Sequence, residues 1–398
     1  MSGGALAGLR VLDVSTVISG STASSMLADH GAEVLKIEDP RSPDPSRQLE
    51  PRKDGVSLWH KVAGRNKKAL TLNLGMPAGA AILRRLVATS DVLIENFRPG
   101  TMEKWGLGWE VLEKENPKLV MVRISGYGQD GPYAKRPGFG TIAEAMSGLP
   151  YRTGFPGGPP VFSPLALADQ VTGLFAAFST MFALYNRDHG TGRGQVVDMG
   201  LYETLFRLGE DQAIAYDQVG KMFERMGNRV ATAAPRGAFQ AKDGNWIAIS
   251  AFSDRTVKRL LASIGGPELA DDPRFANNQA RVRHVEQLEA LIGRWVSERT
   301  QAEVLELFAQ EDVVGGKVYD IAQIFSDPQY QHRDNIVPID DPELGTVRVV
   351  GVVPKFTRTP GEIEHLSVAV GHHNEEIYCG RLNMSRAELE SLRAQGVI

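Results

Sequence analysis

Hydrophobic positions in the first two hundred residues follow two alternating periods. Short, almost continuous apolar runs, typical of strands buried on both faces, occur at residues 9–14, 32–38, 91–95, 119–124 and 195–199. Helical patterns separate them; residues 77–89 open with a proline and repeat apolar positions at Ile82, Leu83 and Leu86. This alternation predicts an α/β fold, with a Rossmann-like large domain built on a mostly parallel sheet.

The pattern changes near residue 225. The later elements are a helix at 202–223, a linker-like segment at 227–235, a hairpin at 237–250 that turns at Asp243-Gly244, helices at 257–264, 285–297 and 301–310, a strand at 347–353 and a helix at 385–394. We therefore predict a large α/β domain from 1–224, a smaller α+β domain at 225–330, and a further segment at 331–398 in which strand and helix patterns return.

Composition limits the possible partners. The 398 residues carry a net charge of −4 and scattered basic residues, which disfavours nucleic-acid and membrane-surface binding. One cysteine, Cys379, excludes an internal disulfide and fits a reducing cytoplasm. Eight dispersed histidines give no metal-ligand spacing, so no metal is expected. We expect no signal peptide and no apolar stretch near the roughly 20 residues of a membrane span, hence a cytoplasmic location.

The first turn argues against common nucleotide cofactors. Residues 13–20 lack a Gly-x-Gly-x-x-Gly fingerprint, and no phosphate loop or Gly-x-Ser-x-Gly elbow occurs, which disfavours NAD, ATP and serine-hydrolase chemistry. Two basic stretches, residues 64–68 and 96–100, the second followed by Lys104, could bind phosphate. The alternative for both is a solvated turn. Together they suggest an anionic, phosphate-bearing ligand.

Asp169 stands where a Gly- and Pro-rich segment, residues 154–164, meets an apolar helical run. Free backbone N–H groups at a helix start favour a charged carboxylate, which can act as a nucleophile. Asp is also a common N-cap, and local sequence favours that alternative.

Several motifs in order carry a resemblance. They are Leu-Arg-Val-Leu-Asp at 9–13, Gly-Ala-Glu-Val-Leu-Lys-Ile-Glu at 31–38, Arg-Asn-Lys-Lys at 65–68, Glu-Asn-Phe-Arg-Pro-Gly at 95–100, Ser-Gly-Tyr-Gly at 125–128, Gly-Pro-Tyr at 131–133, Ala-Asp at 168–169 and Thr-Gly-Arg-Gly-Gln at 191–195. With them the chain resembles the class III (formyl-CoA/carnitine-type) CoA-transferases over nearly its full length.

The resemblance implies a function and a site. Asp169 would be the nucleophile, passing through aspartyl anhydride and aspartyl-CoA thioester intermediates. The CoA site would be lined by Val17, Leu72, Asn96, Phe97, Arg98 and Lys104. The substrates would be an acyl-CoA and a carboxylic acid, with no permanently bound cofactor. Such enzymes are interlocked homodimers in which both chain ends build the large domain, so the resemblance implies that 1–224 binds CoA and that 331–398 returns to the large domain.

Further stretches, at 106–109, 136–139, 237–240, 242–244 and 352–355, are similar to succinyl-CoA-dependent transferases of malate and citramalate. A dicarboxylate's second charge calls for a cation. Arg47, Arg52 and Arg236 are candidates, with an exposed surface role as the alternative for each. Residues Gly138, Phe139 and Gly140 would also contact substrate, and the glycine-rich stretches at 138–140 and 154–158 could donate backbone N–H groups to an oxyanion.

Other activities stay open. One is intramolecular CoA transfer within a C5 diacid such as mesaconate. A 2-methylacyl-CoA racemase is disfavoured because Phe139 stands where related racemases carry histidine. Formyl transfer to oxalate is disfavoured because residues 226–237 lack a glycine run. Related transferases often carry a carboxylate where Gly140 stands. A non-catalytic CoA-ester binder is the alternative outside enzymes.

Overall fold

The computed structural model describes residues 3–398, which form two compact units. The large unit comprises the described residues up to Leu149 together with Phe162–Lys221 and Gln329–Ile398, and the small unit comprises Pro150–Val161 and Met222–Pro328. The sequence pattern put boundaries at 224/225 and 330/331, close to two of these limits. It left Pro150–Val161 in the large domain, whereas this segment groups with the small unit.

Thirteen strands occur among the described residues. In chain order they are β1 Arg10–Asp13, β2 Glu33–Glu38, β3 Arg52–Lys53, β4 Val56–Ser57, β5 Lys67–Thr71, β6 Val92–Glu95, β7 Val120–Ser125, β8 Val196–Gly200, β9 Arg236–Gln240, β10 Trp246–Ser250, β11 Gly315–Lys317, β12 Ile336–Asp341 and β13 Gly345–Val350.

The same part of the chain contains seventeen α-helices. They are α1 Ser19–Asp29, α2 Leu58–Ala63, α3 Pro77–Val87, α4 Thr101–Lys104, α5 Trp109–Glu115, α6 Gly140–Ser147, α7 Leu149–Arg152, α8 Leu167–Asn186, α9 Leu201–Leu208, α10 Glu210–Val219, α11 Asp254–Ala270, α12 Asn278–Arg283, α13 Val285–Ser297, α14 Gln301–Gln310, α15 Ile321–Ser326, α16 Pro328–His332 and α17 Arg386–Ala394. Short 3₁₀ turns lie at Pro45–Gln48 and Pro273–Phe275, and wider π turns at Arg187–Thr191 and Glu375–Arg381.

The large unit is organised by a six-stranded sheet in the order β5-β2-β1-β6-β7-β8, with every pair parallel. This confirms the predicted α/β fold. Counted along the chain, the strand order is 3-2-1-4-5-6, so the chain's winding reverses between β1 and β6. In such sheets ligands bind at the carboxyl ends of the strands beside this reversal.

Alternation along the strands builds two cores. Val11, Val34 and Val92 lie side by side and face one core; Leu12 and Leu35, one residue later, face the other. Helices α1 and α8 cover the first face, and α3 and α17 the second. Fully burying one such side chain stabilises the fold by about 1.5–3 kcal/mol.

The edge strand β5 is covered by the C-terminal segment. Ala69 donates its backbone N–H to His373 Nδ1 at 3.0 Å, and Thr71 donates to Asn374 Oδ1 at 3.0 Å. Tyr378 donates its hydroxyl to the Thr71 carbonyl at 2.8 Å. Side chains thereby occupy the hydrogen-bonding groups that would otherwise leave this sheet edge open.

Helix α8 corrects one expectation. With the turn that follows it, Leu167–Thr191 spans 25 residues and contains an 18-residue window with a mean hydropathy of 1.3, long and apolar enough to cross a membrane by length and composition. The expectation that no apolar stretch approaches this length was therefore wrong. Small residues on its buried face pack against α1: a Cβ at Gly173 would lie 2.6 Å from the Cβ of Thr22. This packing is typical of a core helix.

The small unit contains the predicted hairpin. β9 and β10 pair antiparallel, with Trp246 opposite Gln240, and β11 adds to β10. Helices α11, α13 and α14 bury apolar side chains against this sheet. Strand β11 was not predicted because Gly315-Gly316-Lys317 has no strand-like pattern.

Candidate active site

Two cavities of the large unit lie at the carboxyl ends of its strands. The first, about 360 Å³, is lined by Thr16, Val17, Ile18, Ser19, Asn96, Ile124, Ser125, Gly126, Gly138, Phe139, Gly140, Thr141, Glu144, Phe162, Ser163, Leu165, Ala166, Asp169 and Leu201. The second, about 350 Å³, is lined by Val14, Ser15, Thr16, Ile37, Glu38, Asp39, Arg41, Ser42, Asp44, Leu72, Asn73, Leu74, Gly75, Phe97 and Trp105. Thr16 belongs to both, so the segment after β1 separates them.

Asp169 lies in the first turn of α8, not at its cap. The helix begins at Leu167, Ala166 is the N-cap, and no side chain caps this end. The capping alternative is therefore wrong. The carboxylate is partly buried and lines the first cavity.

The electrostatics of Asp169 differ from the expectation. Burial, and then the nearby Glu144 carboxylate, raise the pKa of Asp169 to about 6, although the helix start favours the charged form. Glu144 is itself buried, and its Oε2 accepts a long 3.4 Å hydrogen bond from the Ser163 amide. With a pKa near 6, roughly nine in ten Asp169 side chains are ionised at pH 7.

Glycine at position 140 makes room for this carboxylate. A Cβ at Gly140 would overlap Asp169 Oδ2 and lie 3.2 Å from its Cγ. Gly126 and Gly138 hold the loop before α6 against β7, since a Cβ at Gly126 would lie 2.9 Å from the Gly138 Cα. Gly140 and Thr141 begin α6, where backbone N–H groups have no partner within the helix. Both residues line the Asp169 cavity.

The residues predicted to line a CoA site divide between the cavities. Val17 and Asn96 line the first, and Leu72 and Phe97 the second, where Phe97 packs edge-to-face on Trp105 at 5.1 Å. The remaining two predicted residues, Arg98 and Lys104, are exposed beside the start and at the end of α4, and neither forms an ion pair within residues 3–398.

Two buried carboxylates support the second cavity. Glu95, the last residue of β6, accepts the Phe97 amide at 2.7 Å and an Arg123 N–H at 2.7 Å. Burial raises the pKa of Glu95 to about 7 despite the Arg123 pairing. The other is Asp44, whose contacts are described below.

The basic run at 64–68 is paired internally. Arg65 bonds Asp29 at 2.9 Å, and Lys68 pairs with Glu33 and Glu376. Lys67 is buried against Asp13 at 3.2 Å, and burial lowers the pKa of Lys67 to about 8. The run is neither a solvated face nor a phosphate loop.

The three candidate arginines differ. Arg47 holds Glu38 with two N–H groups, and Arg52 pairs with Glu50 at 2.9 Å; neither lines the Asp169 cavity. Arg236 belongs to β9 of the small unit, is exposed, and donates to the Asn228 carbonyl at 3.3 Å. In the described chain its guanidinium has no acidic partner.

Sequence reasoning missed an acid and a buried hydroxyl among the polar residues of the first cavity. Glu144 lies one helical turn after Gly140, an acid within the apolar run Ile-Ala-Glu-Ala-Met, which was the available signal. Ser125, at the end of β7, is buried with a hydroxyl that has no hydrogen-bond partner among the described residues.

Comparisons with known proteins identify the family. The sequence model of CoA-transferase family III matches residues 6–374. The chain belongs to this family. The transferase is 43% identical over 397 residues to the succinyl-CoA–L-malate CoA-transferase beta subunit of Chloroflexus aurantiacus, covering 99% of this chain and 98% of that one. It is 41% identical over 391 residues to succinyl-CoA–D-citramalate CoA-transferase of the same organism, covering 98% and 97%.

A solved structure agrees. The crystal structure of a CaiB/BaiF family protein from Brucella suis superposes on the transferase with a TM-score of 0.84 at 32% identity, covering 95% of this chain and 99% of that one. The predicted family, α/β fold and enzyme class are therefore confirmed. CoA thioesters are the substrates of this class.

Proposed function

We propose that the transferase moves CoA from an acyl-CoA donor, succinyl-CoA, to a short dicarboxylic or hydroxy-dicarboxylic acid. The observation that carries the chemistry is the Asp169 carboxylate, partly buried in a cavity whose lining residues include no histidine, lysine or arginine. The malate and citramalate activities of the two relatives support the substrate class.

The first half-reaction moves CoA from the donor acyl group to Asp169. An Asp169 carboxylate oxygen attacks the donor thioester carbonyl, the C–S bond breaks, and CoA leaves as a thiolate beside a mixed anhydride. The thiolate then attacks the Asp169 carbonyl carbon. The donor acid leaves as a carboxylate, and an aspartyl-CoA thioester remains.

The second half-reaction is the reverse with a new acid. The acceptor carboxylate attacks the aspartyl-CoA carbonyl, and the released thiolate attacks the acceptor carbonyl of the new anhydride. Asp169 returns as a carboxylate. In each step an anionic nucleophile displaces an anionic leaving group, so no proton is transferred. A cavity without a histidine therefore suits this series of reactions.

Each tetrahedral state carries an oxyanion. The free amides of Gly140 and Thr141, at the start of α6 and beside Asp169, are our candidates to bind it. Losing one such donor typically slows a reaction by about a hundredfold or more.

The CoA site would extend from the second cavity to the first. Arg98 and Lys104 would bind its phosphates, and Leu72 and Phe97 would contact the adenosine end. The thiol would pass Val17 to reach Asp169. Arg47 and Arg52 are already paired with acids, so neither is our candidate for the acceptor's second carboxylate.

The chosen reaction has two competitors. Racemisation needs a base at the α-carbon, and the exposed Phe139 in the cavity wall cannot accept a proton. Intramolecular transfer within a C5 diacid would use the same Asp169 chemistry but would need only one substrate.

A homodimer is part of the proposal. Apolar side chains form an exposed stripe on α8, at the helical spacing of one face: Leu174, Phe178, Met181, Phe182 and Tyr185. Exposed apolar surface of this kind typically marks a protein–protein interface. We propose that a second copy covers it, as in the interlocked dimers that the family resemblance implies.

An acid panel tests the function. Purified transferase is incubated with succinyl-CoA and, separately, malate, citramalate, mesaconate, oxalate and acetate, and the acyl-CoA products are separated by chromatography. We expect new thioesters with the hydroxy-dicarboxylic acids. If acetate were the one acid of the panel to be converted, the proposed substrate class would be contradicted. In a separate incubation with mesaconyl-CoA and no added acid, isomerisation would favour the intramolecular reaction.

A further inference from the structure

The segment between the two cavities has a strained backbone. Val17 lines the Asp169 cavity with φ at 62°, in the left-handed region. This region is disfavoured for a β-branched residue, which persists there only when its surroundings hold it. Position 17 is therefore held by contacts from elsewhere in the fold.

Asp44 provides the contacts that fix the backbone at Val17. Its two carboxylate oxygens accept the Val17 amide at 3.1 and 3.2 Å, and Oδ1 also accepts the Ser46 amide at 2.9 Å. Lys36 Nζ lies 3.0 Å from Asp44 Oδ2. Burial alone would raise the pKa of Asp44, but Lys36 and the Ser46 contacts keep it well below its ordinary value, so the group stays ionised.

The neighbouring peptides are tied as well. The Asn96 side chain accepts the Thr16 amide at 2.8 Å and donates to the Thr16 carbonyl at 2.7 Å. Lys36 Nζ donates to the Ser15 carbonyl, and the Ser15 amide donates to Asp13 Oδ1 at 3.0 Å. Because both hydrogen-bonding ends of its amide meet Thr16, Asn96 joins the turns after β1 and β6 across the winding reversal.

The geometry points to Asp44 as a positioning residue that fixes Val17 in its left-handed conformation, and thereby the wall along which the CoA thioester reaches Asp169. The Asp44 side chain lines the second cavity but is only about 1% exposed, and it does not line the Asp169 cavity, on which it acts through Val17. This inference rests on the proposed function for its link to catalysis, and on the described contacts for the fixed segment.

A double-mutant cycle tests it. We compare wild type, Asp44→Asn, Val17→Gly and the double variant for the Kd of desulfo-CoA by calorimetry and for kcat/KM with succinyl-CoA. Asp44→Asn is expected to lower CoA affinity and kcat/KM by about tenfold or more, because small misplacements at a reacting site are costly. Glycine adopts positive φ freely, so in the Val17→Gly background the same change is expected to cost less than about threefold.

Asp341→Asn is the matched control. Asp341 is a buried carboxylate that pairs with buried Lys61 at 2.8 Å and accepts the Glu343 and Leu344 amides, but it lines neither cavity. It is expected to lower the melting temperature while leaving the Kd of desulfo-CoA within about twofold.

Two results overturn the inference. One is an Asp44→Asn variant that resembles the control, less stable but with unchanged CoA affinity. The other is an equal loss in both backgrounds at position 17. If Asp44→Asn does not fold, Asp44→Ser, which keeps one acceptor oxygen on a shorter side chain, takes its place with the same expectations. If wild type binds desulfo-CoA but transfers no CoA, the proposed function is refuted. The ratios of the desulfo-CoA Kd values between the variants still test the inference about Asp44.

Discussion

The carboxylate of Asp169 is kept in surroundings that disfavour its charge. A nucleophile with a raised pKa is more basic, and yet a value near 6 leaves most molecules ionised at neutral pH. The like charge of Glu144 contributes to the raised pKa of Asp169, and the absence of a side chain at Gly140 leaves space for the Asp169 carboxylate. These features concern side chains brought together by the fold, so the local sequence around Asp169 did not reveal them and even favoured a cap.

Glu144→Gln should shift the pH dependence of the reaction. Besides Asp169, Glu144 carries a carboxylate in the lining of the Asp169 cavity, and removing its charge lowers the pKa of Asp169. The acid limb of kcat/KM is therefore expected near pH 6 in wild type and roughly 0.5–1 pH unit lower in the variant. An unshifted limb would contradict the pairing of these two acids.

Asp169→Asn should abolish transfer but stabilise the fold. A carboxyl whose folded pKa is raised destabilises the native state above that pKa and has no such effect below its unfolded pKa. After allowance for partial exposure, the amide should raise the unfolding free energy by about 1–2 kcal/mol at pH 7.5. The gain should vanish as pH falls through 6 to 4. Urea melts of wild type and Asp169→Asn at pH 7.5 and at pH 4 measure the difference in unfolding free energy.

A control for that comparison lies outside the Asp169 cavity. Asp188 follows the far end of α8, roughly 28 Å along the axis, and pairs with Arg187 at the surface. Asp188→Asn should leave activity unchanged and give no comparable stabilisation at pH 7.5. A gain of equal size in both variants would show that the effect does not come from the site.

At the scale of elements, sequence periodicity predicted what packing later confirmed. Continuous apolar runs identified the strands β1, β2, β6, β7 and β8, because strands buried on both faces leave that pattern. Strand β12 was missed, since its proline and acidic residues hide its pairing with β13. The basic run at 64–68 was predicted to bind phosphate or to form a solvated turn, whereas its side chains pair with acids such as Asp29 and Glu376 from distant parts of the chain.

Gly173→Ala tests the packing of α8 on α1. Helix propensity alone predicts that alanine stabilises a helix interior by about 0.5–1 kcal/mol. At Gly173 the new methyl would lie 2.8 Å from the Ser19 carbonyl oxygen, so we expect destabilisation by about 1–3 kcal/mol instead. Gly293→Ala is the matched control, because its nearest neighbour, Phe239, lies at an ordinary 3.6 Å. Thermal melts of both variants compare them; a stabilised Gly173→Ala would contradict the described packing.

At the scale of the whole molecule, the family resemblance added what local patterns could not. Composition and periodicity indicated an α/β protein with an anionic ligand, but the ordered motifs were needed to name the chemistry. The residues predicted from that resemblance lie around two adjoining cavities, except the exposed Arg98 and Lys104 and the three arginines outside the Asp169 cavity.

Phe182→Glu tests the proposed homodimer. Phe182 is 59% exposed and packs on Phe178 at 4.2 Å between ring centroids. A buried charge at an interface without a partner is strongly unfavourable, so the variant should elute as a monomer in light-scattering chromatography while wild type is dimeric. Val350→Glu, at an exposed position at the end of β13, is the control and should stay dimeric. A monomeric wild type would contradict the proposal.

The central claim is that Asp169 carries CoA covalently. The most direct measurement is intact-protein mass spectrometry after brief exposure to succinyl-CoA, followed by peptide mapping with and without hydroxylamine. We predict a hydroxylamine-sensitive CoA adduct on the peptide containing Asp169, absent from Asp169→Asn. Full turnover by Asp169→Asn, or an adduct on another residue, would contradict it.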